Sequence, residues 1–185
     1  MVVKILLVLA VALAQLEDWE YKFRRCPHVN KLDSIDLSFF NNKFHQILRT
    51  KGFPLILGQC FTSTNVLQPD NTVAVHIEQV FRGMILAGDA VVNFDFTPGH
   101  LGSYTFSTSF GSIEGHYVDT DFETYFMVYL CQNEINKRRD LLEVYSTDVN
   151  FNYEFLLPKI YDLKFTDSDI EEVDNSLEAC RTGPI

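Results

Sequence analysis

The residues with chemical reach in this chain are four cysteines, five histidines, a few paired carboxylates and one glutamate set in an apolar stretch. Cys26, Cys60, Cys131 and Cys180 show no Cys-x-x-Cys spacing, which argues against a zinc site or a redox pair. His28, His45, His76, His100 and His116 are scattered without a His-x-His or His-Glu-x-x-His pattern, so no metal site and no haem ligand is expected. No Gly-x-Ser-x-Gly, phosphate-binding loop or activated cysteine occurs, and the pairs Asp119/Asp121 and Glu171/Glu172 fall in a turn and an acidic tail, where solvated charge is the plainer role. The chain is therefore expected not to be an enzyme, to have no catalytic residue and to need no cofactor. Glu143 is the residue that invites chemistry. It alternates with Leu141 and Tyr145, and a carboxylate turned into an apolar interior must find a partner or stay neutral. There it would meet a hydroxyl, an amine or a pyrrole N–H of a bound molecule. The competing reading is that a bulge or a shifted register turns it to solvent.

The elements that would position these residues begin after an export signal. Residues 1–14 hold one basic residue, Lys4, an apolar run from Ile5 to Val11 and the small-x-small end Ala12-Leu13-Ala14, the pattern of a signal peptide. As a membrane anchor the run would be roughly ten residues shorter than the about 20 that span a bilayer. The remaining 15–185 has the length of a single domain with a full core, expected to be secreted and extracellular. In that oxidising setting its four cysteines read as two disulfides, for which three pairings are open. Loss of Lys4 takes the formal charge from −10 to −11, which disfavours nucleic acid and anionic membranes as partners. The one basic cluster, Lys137-Arg138-Arg139, lies between Glu134 and Asp140 and reads as a solvated hairpin loop. No Asn-x-Ser/Thr acceptor occurs, so N-glycosylation is not expected.

Short apolar or alternating runs separated by turn residues occupy Phe44–Thr50, Cys60–Leu67, Val73–Val80, Met84–Asp95, Ser103–Phe110, Ile113–Asp119, Thr124–Cys131 and Arg139–Ser146. An even number of meandering strands can close and remove its edges, so the pattern predicts an all-β, eight-stranded antiparallel up-and-down barrel. The turns carry Gly52 and Pro54, Pro69-Asp70-Asn71, Arg82-Gly83, Pro98-Gly99, Gly111, Asp121, and the stretch from Asn133 to Lys137. In Tyr125-Phe126-Met127-Val128-Tyr129-Leu130 both faces are apolar, so the outer face needs cover. The cover predicted is an α-helix at Leu157 to Phe165, drawn from a segment in which Phe155, Leu156, Ile160, Leu163 and Lys164 recur at helical spacing. Pro158 fits only in its first turn. The acidic stretch from Asp167 to Glu178 is expected to run back along the barrel.

The tract Thr120-Asp121-Phe122, followed by Tyr125 and Tyr129-Leu130-Cys131, resembles the Thr-Asp-Tyr turn and strand-end cysteine of the secreted lipocalins. Phe122 keeps the ring of the usual tyrosine and loses its hydroxyl. The family's Gly-x-Trp on the opening strand is matched here by Asn42-Lys43-Phe44, and its late arginine by Thr147 in Ser146-Thr147-Asp148, so the sequence departs from both signatures. The tryptophan–arginine contact at the closed end is therefore absent, and Phe44 with apolar neighbours must close the floor. The resemblance implies the pairings Cys26–Cys131 and Cys60–Cys180, each closing a loop worth roughly 4 to 5 kcal/mol on the chain-entropy model.

The resemblance, closest to the apolipoprotein D, insect bilin-binding and crustacyanin branch, implies a carrier for a small hydrophobic molecule such as a fatty acid, sterol, retinoid, carotenoid or bilin. A closed barrel of this size has room for one small ligand. Carried round the sheet, alternation turns Phe61, Ser63, Asn65, Val73, Val75, Ile77, Leu86, Tyr104, Phe106, Tyr117, Phe126, Val128, Leu141, Glu143 and Tyr145 toward the cavity as ligand-binding positions. A one-residue slip would invert a strand. Two other readings stay open: a secreted protein that scavenges a small amine or engages a receptor through its surface, alone or as a weak homo-oligomer, and a catalytic member of the same fold.

Overall fold

The computed structural model describes residues 29, 32, 34–51, 58–97, 101–108, 111–134 and 137–181. Eight strands, β1 (Lys43–Thr50), β2 (Gln59–Leu67), β3 (Val73–Phe81), β4 (Met84–Phe94), β5 (Ser103–Thr108), β6 (Gly111–Thr120), β7 (Tyr125–Glu134) and β8 (Lys137–Ser146), pair antiparallel in chain order. β8 returns to β1, and β1 pairs β2, so the sheet closes into the expected barrel. The β1–β2 seam is short, joining Lys43, Phe44 and His45 to Thr64, Ser63 and Thr62.

Several boundaries differ from the sequence reading for physical reasons. β7 and β8 extend to Glu134 and from Lys137, pairing those two residues, so Lys137-Arg138-Arg139 opens a strand and is not a loop. The helix α1 spans only Leu157–Asp162, after a 3-10 turn at Glu154–Leu156. It stops short of Phe165 because Lys164 takes a left-handed backbone, φ 71°, which no α-helix continues through. Pro158 sits in its first turn as expected. Phe155, expected to face the barrel, is exposed and packs edge-on against Tyr125 and Phe151. A ninth strand, β9 (Ile170–Glu172), appears within the acidic stretch and pairs Leu48 to Thr50 of β1.

Two apolar clusters result from the alternation. Leu48, Met127, Tyr129, Leu142 and Val144 face outward and are buried beneath Leu156, Ile160, Phe165 and Ile170, so the apolar outer face of β7 does receive its cover. Lys159 of α1 reaches Asp119 at 2.9 Å, and Tyr125 donates to that same carboxylate at 3.1 Å. Inside, Phe44 is fully buried and packs edge-on against Phe39 and Phe126. Phe39 and Phe40 come from a 3-10 turn at Leu37–Phe40, started by Asp36, which accepts from the Ser38 N–H at 2.9 Å. This turn, together with Phe94, Tyr117 and Phe126, plugs the closed end.

The Thr120-Asp121-Phe122 tract forms the β6–β7 turn. Asp121 accepts from the N–H groups of Glu123, Thr124 and Tyr125 at 2.9, 2.8 and 3.1 Å and from the Thr124 hydroxyl. Phe122 adopts φ 57° and turns its ring onto Phe39. Cys60 and Cys180 are bonded, with Cα atoms 5.2 Å apart across 120 residues, which fastens the C-terminal segment to β2. Cys131 is buried on the outer face of β7 and is not a free thiol. Its expected partner Cys26 lies outside the described residues, as does the expected signal segment 1–14. No helix among the described residues is long and apolar enough to cross a membrane.

Candidate functional site

Above the aromatic plug the barrel encloses a cavity of about 290 Å³, at the small end of the roughly 300–1,000 Å³ usual for ligand sites. Phe61, Ser63, Asn65, Val75, Ile77, Leu86, Tyr104, Phe106, Tyr117, Phe126, Val128, Leu141, Glu143 and Tyr145, all expected to point inward, line it. Val73 does not. It is buried with Phe44 and Phe126 in the inner cluster, on the expected face but outside the lining of the void. Alternation sets the face of a residue and leaves its depth undetermined.

Other lining residues had a readable signal. Gln79, Ile113 and Leu130 continue the parity of Ile77, Tyr117 and Val128, and Val92 continues that of Leu86. Gly88 keeps the parity of Leu86 and Val92 as well, whereas Ala87 and Asp89 had no such signal, because they border the cavity where β4 leaves the closed part of the barrel. Within the described residues β5 pairs β4 only from Val91 to Phe94, and Met84 to Asp89 are exposed. Gly115 makes room for the interior in a different way. It is paired with Tyr104, and a Cβ there would collide with the Tyr104 ring, so only glycine lets that ring lie flat across β6.

The polar part of the cavity is centred on Glu143. Its carboxylate accepts from the Tyr145 hydroxyl at 2.8 Å, and that hydroxyl accepts from Gln46 Nε2 at 3.1 Å. Burial pushes the Glu143 carboxyl up to about 7, against the opposing pull of the Tyr145 hydrogen bond and of the Arg49 charge. Arg49 is buried on β1, paired with Glu143 across the ladder. Its guanidinium is engaged elsewhere, with Glu171 at 2.8 Å and the Gly58 carbonyl at 2.7 Å. Burial also raises the hydroxyls of Tyr104, Tyr117 and Tyr145, so all three stay neutral donors. Gln46 Oε1 and Asn65 Oδ1 are buried with no hydrogen-bond partner among the described residues.

His76 points outward, its Nδ1 2.7 Å from Asp89, and His116 meets Ser103 at 3.2 Å; neither lines the cavity. No group of metal-holding side chains occurs among the described residues. The arrangement can hold an apolar body between aromatic walls and offer hydrogen bonds at one wall. Among the described residues, the hydrogen bonding of Glu143 runs to the Tyr145 phenol and, one bond further, to the Gln46 amide.

No family model matches the sequence, and no curated protein matches it. Solved structures do match. Insecticyanin from the tobacco hornworm Manduca sexta superposes with a TM-score of 0.73 at 18% identity, covering 86% of this chain and 91% of that one. Lobster apocrustacyanin A1 gives 0.65 at 10% identity, over 76% and 80% of the two chains. The siderocalin Ex-FABP, described as functioning through dual ligand specificities, gives 0.60 at 8% identity, over 75% and 91%. These neighbours are lipocalins. With the closed barrel, the external helix and the Cys60–Cys180 bridge, the chain has the lipocalin fold.

Proposed function

We propose that this chain is a secreted member of the lipocalin family that carries a small hydrophobic molecule in its barrel, by binding without turnover. The observation that carries this is the cavity itself. Although Phe44, Phe126 and Tyr145 are buried in the interior, a void of about 290 Å³ remains above them, walled by apolar and aromatic side chains around a few placed polar groups. Phe61, Tyr104, Phe106, Phe126 and Leu141 supply the apolar contact, and Glu143, Tyr145, Ser63 and Asn65 orient the ligand. The candidates are a fatty acid, sterol, retinoid, carotenoid or bilin.

Secretion is supported by the signal-like segment 1–14 and by the Cys60–Cys180 bridge, a bond that oxidising compartments maintain. For the second pair we propose Cys26–Cys131. Val29, three residues beyond Cys26, is packed in the same outer cluster as Cys131, which supports this pairing. Native mass spectrometry of protein purified from its source, with an absorption spectrum, should find a bound apolar molecule. Empty protein that also ignored a panel of lipids and tetrapyrroles would refute the carrier reading.

A further inference from the structure

We infer that the cavity selects apolar ligands whose polar head donates hydrogen bonds and carries no negative charge, an amine or alcohol in preference to a carboxylate. This rests on the carrier reading and narrows it. Among the described residues the lining contains no lysine, arginine or histidine, while it includes two acidic residues, Glu143 and Asp89. Of these Asp89 is exposed and turns its carboxylate outward to His76 at 2.7 Å, and Glu143 stands in the interior. The cation nearest in the ladder, Arg49, is turned to Glu171 and the Gly58 carbonyl and does not border the void.

The unused hydrogen-bonding capacity has the same sign. Asn65 borders the cavity at 8% exposure, and its Oδ1 lacks a donor among the described residues. Gln46 Oε1, behind the Tyr145 hydroxyl and outside the cavity lining, also lacks one among the described residues. Glu143 Oε2 takes one hydrogen bond, from Tyr145, and an ionised carboxylate can accept several. The interior wall therefore offers acceptors that await donors, and a buried acceptor left unmet is costly. A ligand carboxylate would bring further acceptors and a second negative charge to Glu143 in a medium where like charges repel strongly. An ammonium or hydroxyl would supply the missing donors. The phenols of Tyr104, Tyr117 and Tyr145 can donate, but that of Tyr145 is already spent on Glu143.

The test is calorimetric titration of the full mature chain with decylamine, decanol and decanoate, which share one chain and differ in the head. At about pH 8, where Glu143 is ionised, decylamine should bind at least about tenfold tighter than decanoate, with decanol between them. Glu143→Gln keeps the shape and can donate, so decanoate should gain affinity and the amine-to-carboxylate ratio should fall to within about threefold, leaving decanol nearly unchanged. Equal binding of the three heads, tighter binding of decanoate, or a ratio untouched by Glu143→Gln would overturn the head-group inference and leave the carrier reading standing. Failure of all three to bind would remove both.

Discussion

The Glu143→Gln substitution also isolates the cost of burying a carboxylate in this barrel. In the unfolded chain Glu143 titrates near its ordinary 4.5, whereas burial holds it at about 7 in the fold. Between those values the native state keeps a proton that the unfolded state has released, so stability falls as pH rises through the window and levels off above it. The span corresponds to about 3 kcal/mol at about 1.4 kcal/mol per unit. That is a large share of the roughly 5–15 kcal/mol by which a domain of this kind is stable. The side-chain amide of the variant can still accept the Tyr145 hydrogen bond, 2.8 Å long in the native protein, and it has nothing to ionise. Urea unfolding of the ligand-free proteins at about pH 4 should therefore find the two within about 1 kcal/mol, and at about pH 8 the variant should be the more stable by about 2–3 kcal/mol. A difference that stayed constant from acid to alkaline pH would refute the argument. It would mean that Glu143 is solvated in the native state, or that Arg49 neutralises it fully despite its contacts with Glu171 and Gly58.

Two other perturbations separate cavity from scaffold. Gly88 borders the cavity and a Cβ there would meet nothing within 4 Å, so Gly88→Phe should place a ring in the void with less than about 1 kcal/mol change in stability. Displacing even two methylenes of a ligand, at about 0.8 kcal/mol each, should cost about tenfold in affinity by titration; unchanged affinity would mean that ligands bind elsewhere. In the β6–β7 turn, burial opposes ionisation of Asp121, but the bonds from Thr124, Glu123 and Tyr125 outweigh it and hold the carboxyl at about 2. Its contribution is present above the ordinary 3.8 and fades as pH falls toward about 2. Because the side chain is exposed, solvent screening keeps that contribution near 1 kcal/mol. Asp121→Ala should lower stability by about that much at pH 6 in urea titrations, and the gap should narrow in acid. A gap of the same size at both pH values would contradict the charge-based account.

What could be read from the residues was set by period, and what could not was set by depth and by partners distant in sequence. Leu141, Glu143 and Tyr145 face the cavity while Leu142 and Val144 lie under α1, because one period-two run on a strand covered on both sides fixes both faces at once. Val73 obeyed the same parity and still missed the void, since parity fixes a face and not how far along the strand the cavity reaches. The plug itself gave no periodic signal. Phe39 and Phe40 are adjacent residues in a single turn, and nothing local shows that they enter a barrel end lacking the usual tryptophan and arginine. β9 was likewise illegible, because Ile170–Glu172 is too short and too acidic to announce a strand and forms only where β1 presents a free edge beyond its seam with β2. That late pairing carries Glu171 to Arg49, and so decides that the buried guanidinium beside Glu143 is occupied from outside the barrel. The electrostatic character of the cavity thus depends on a contact between residues 49 and 171, which neither strand's own sequence encodes.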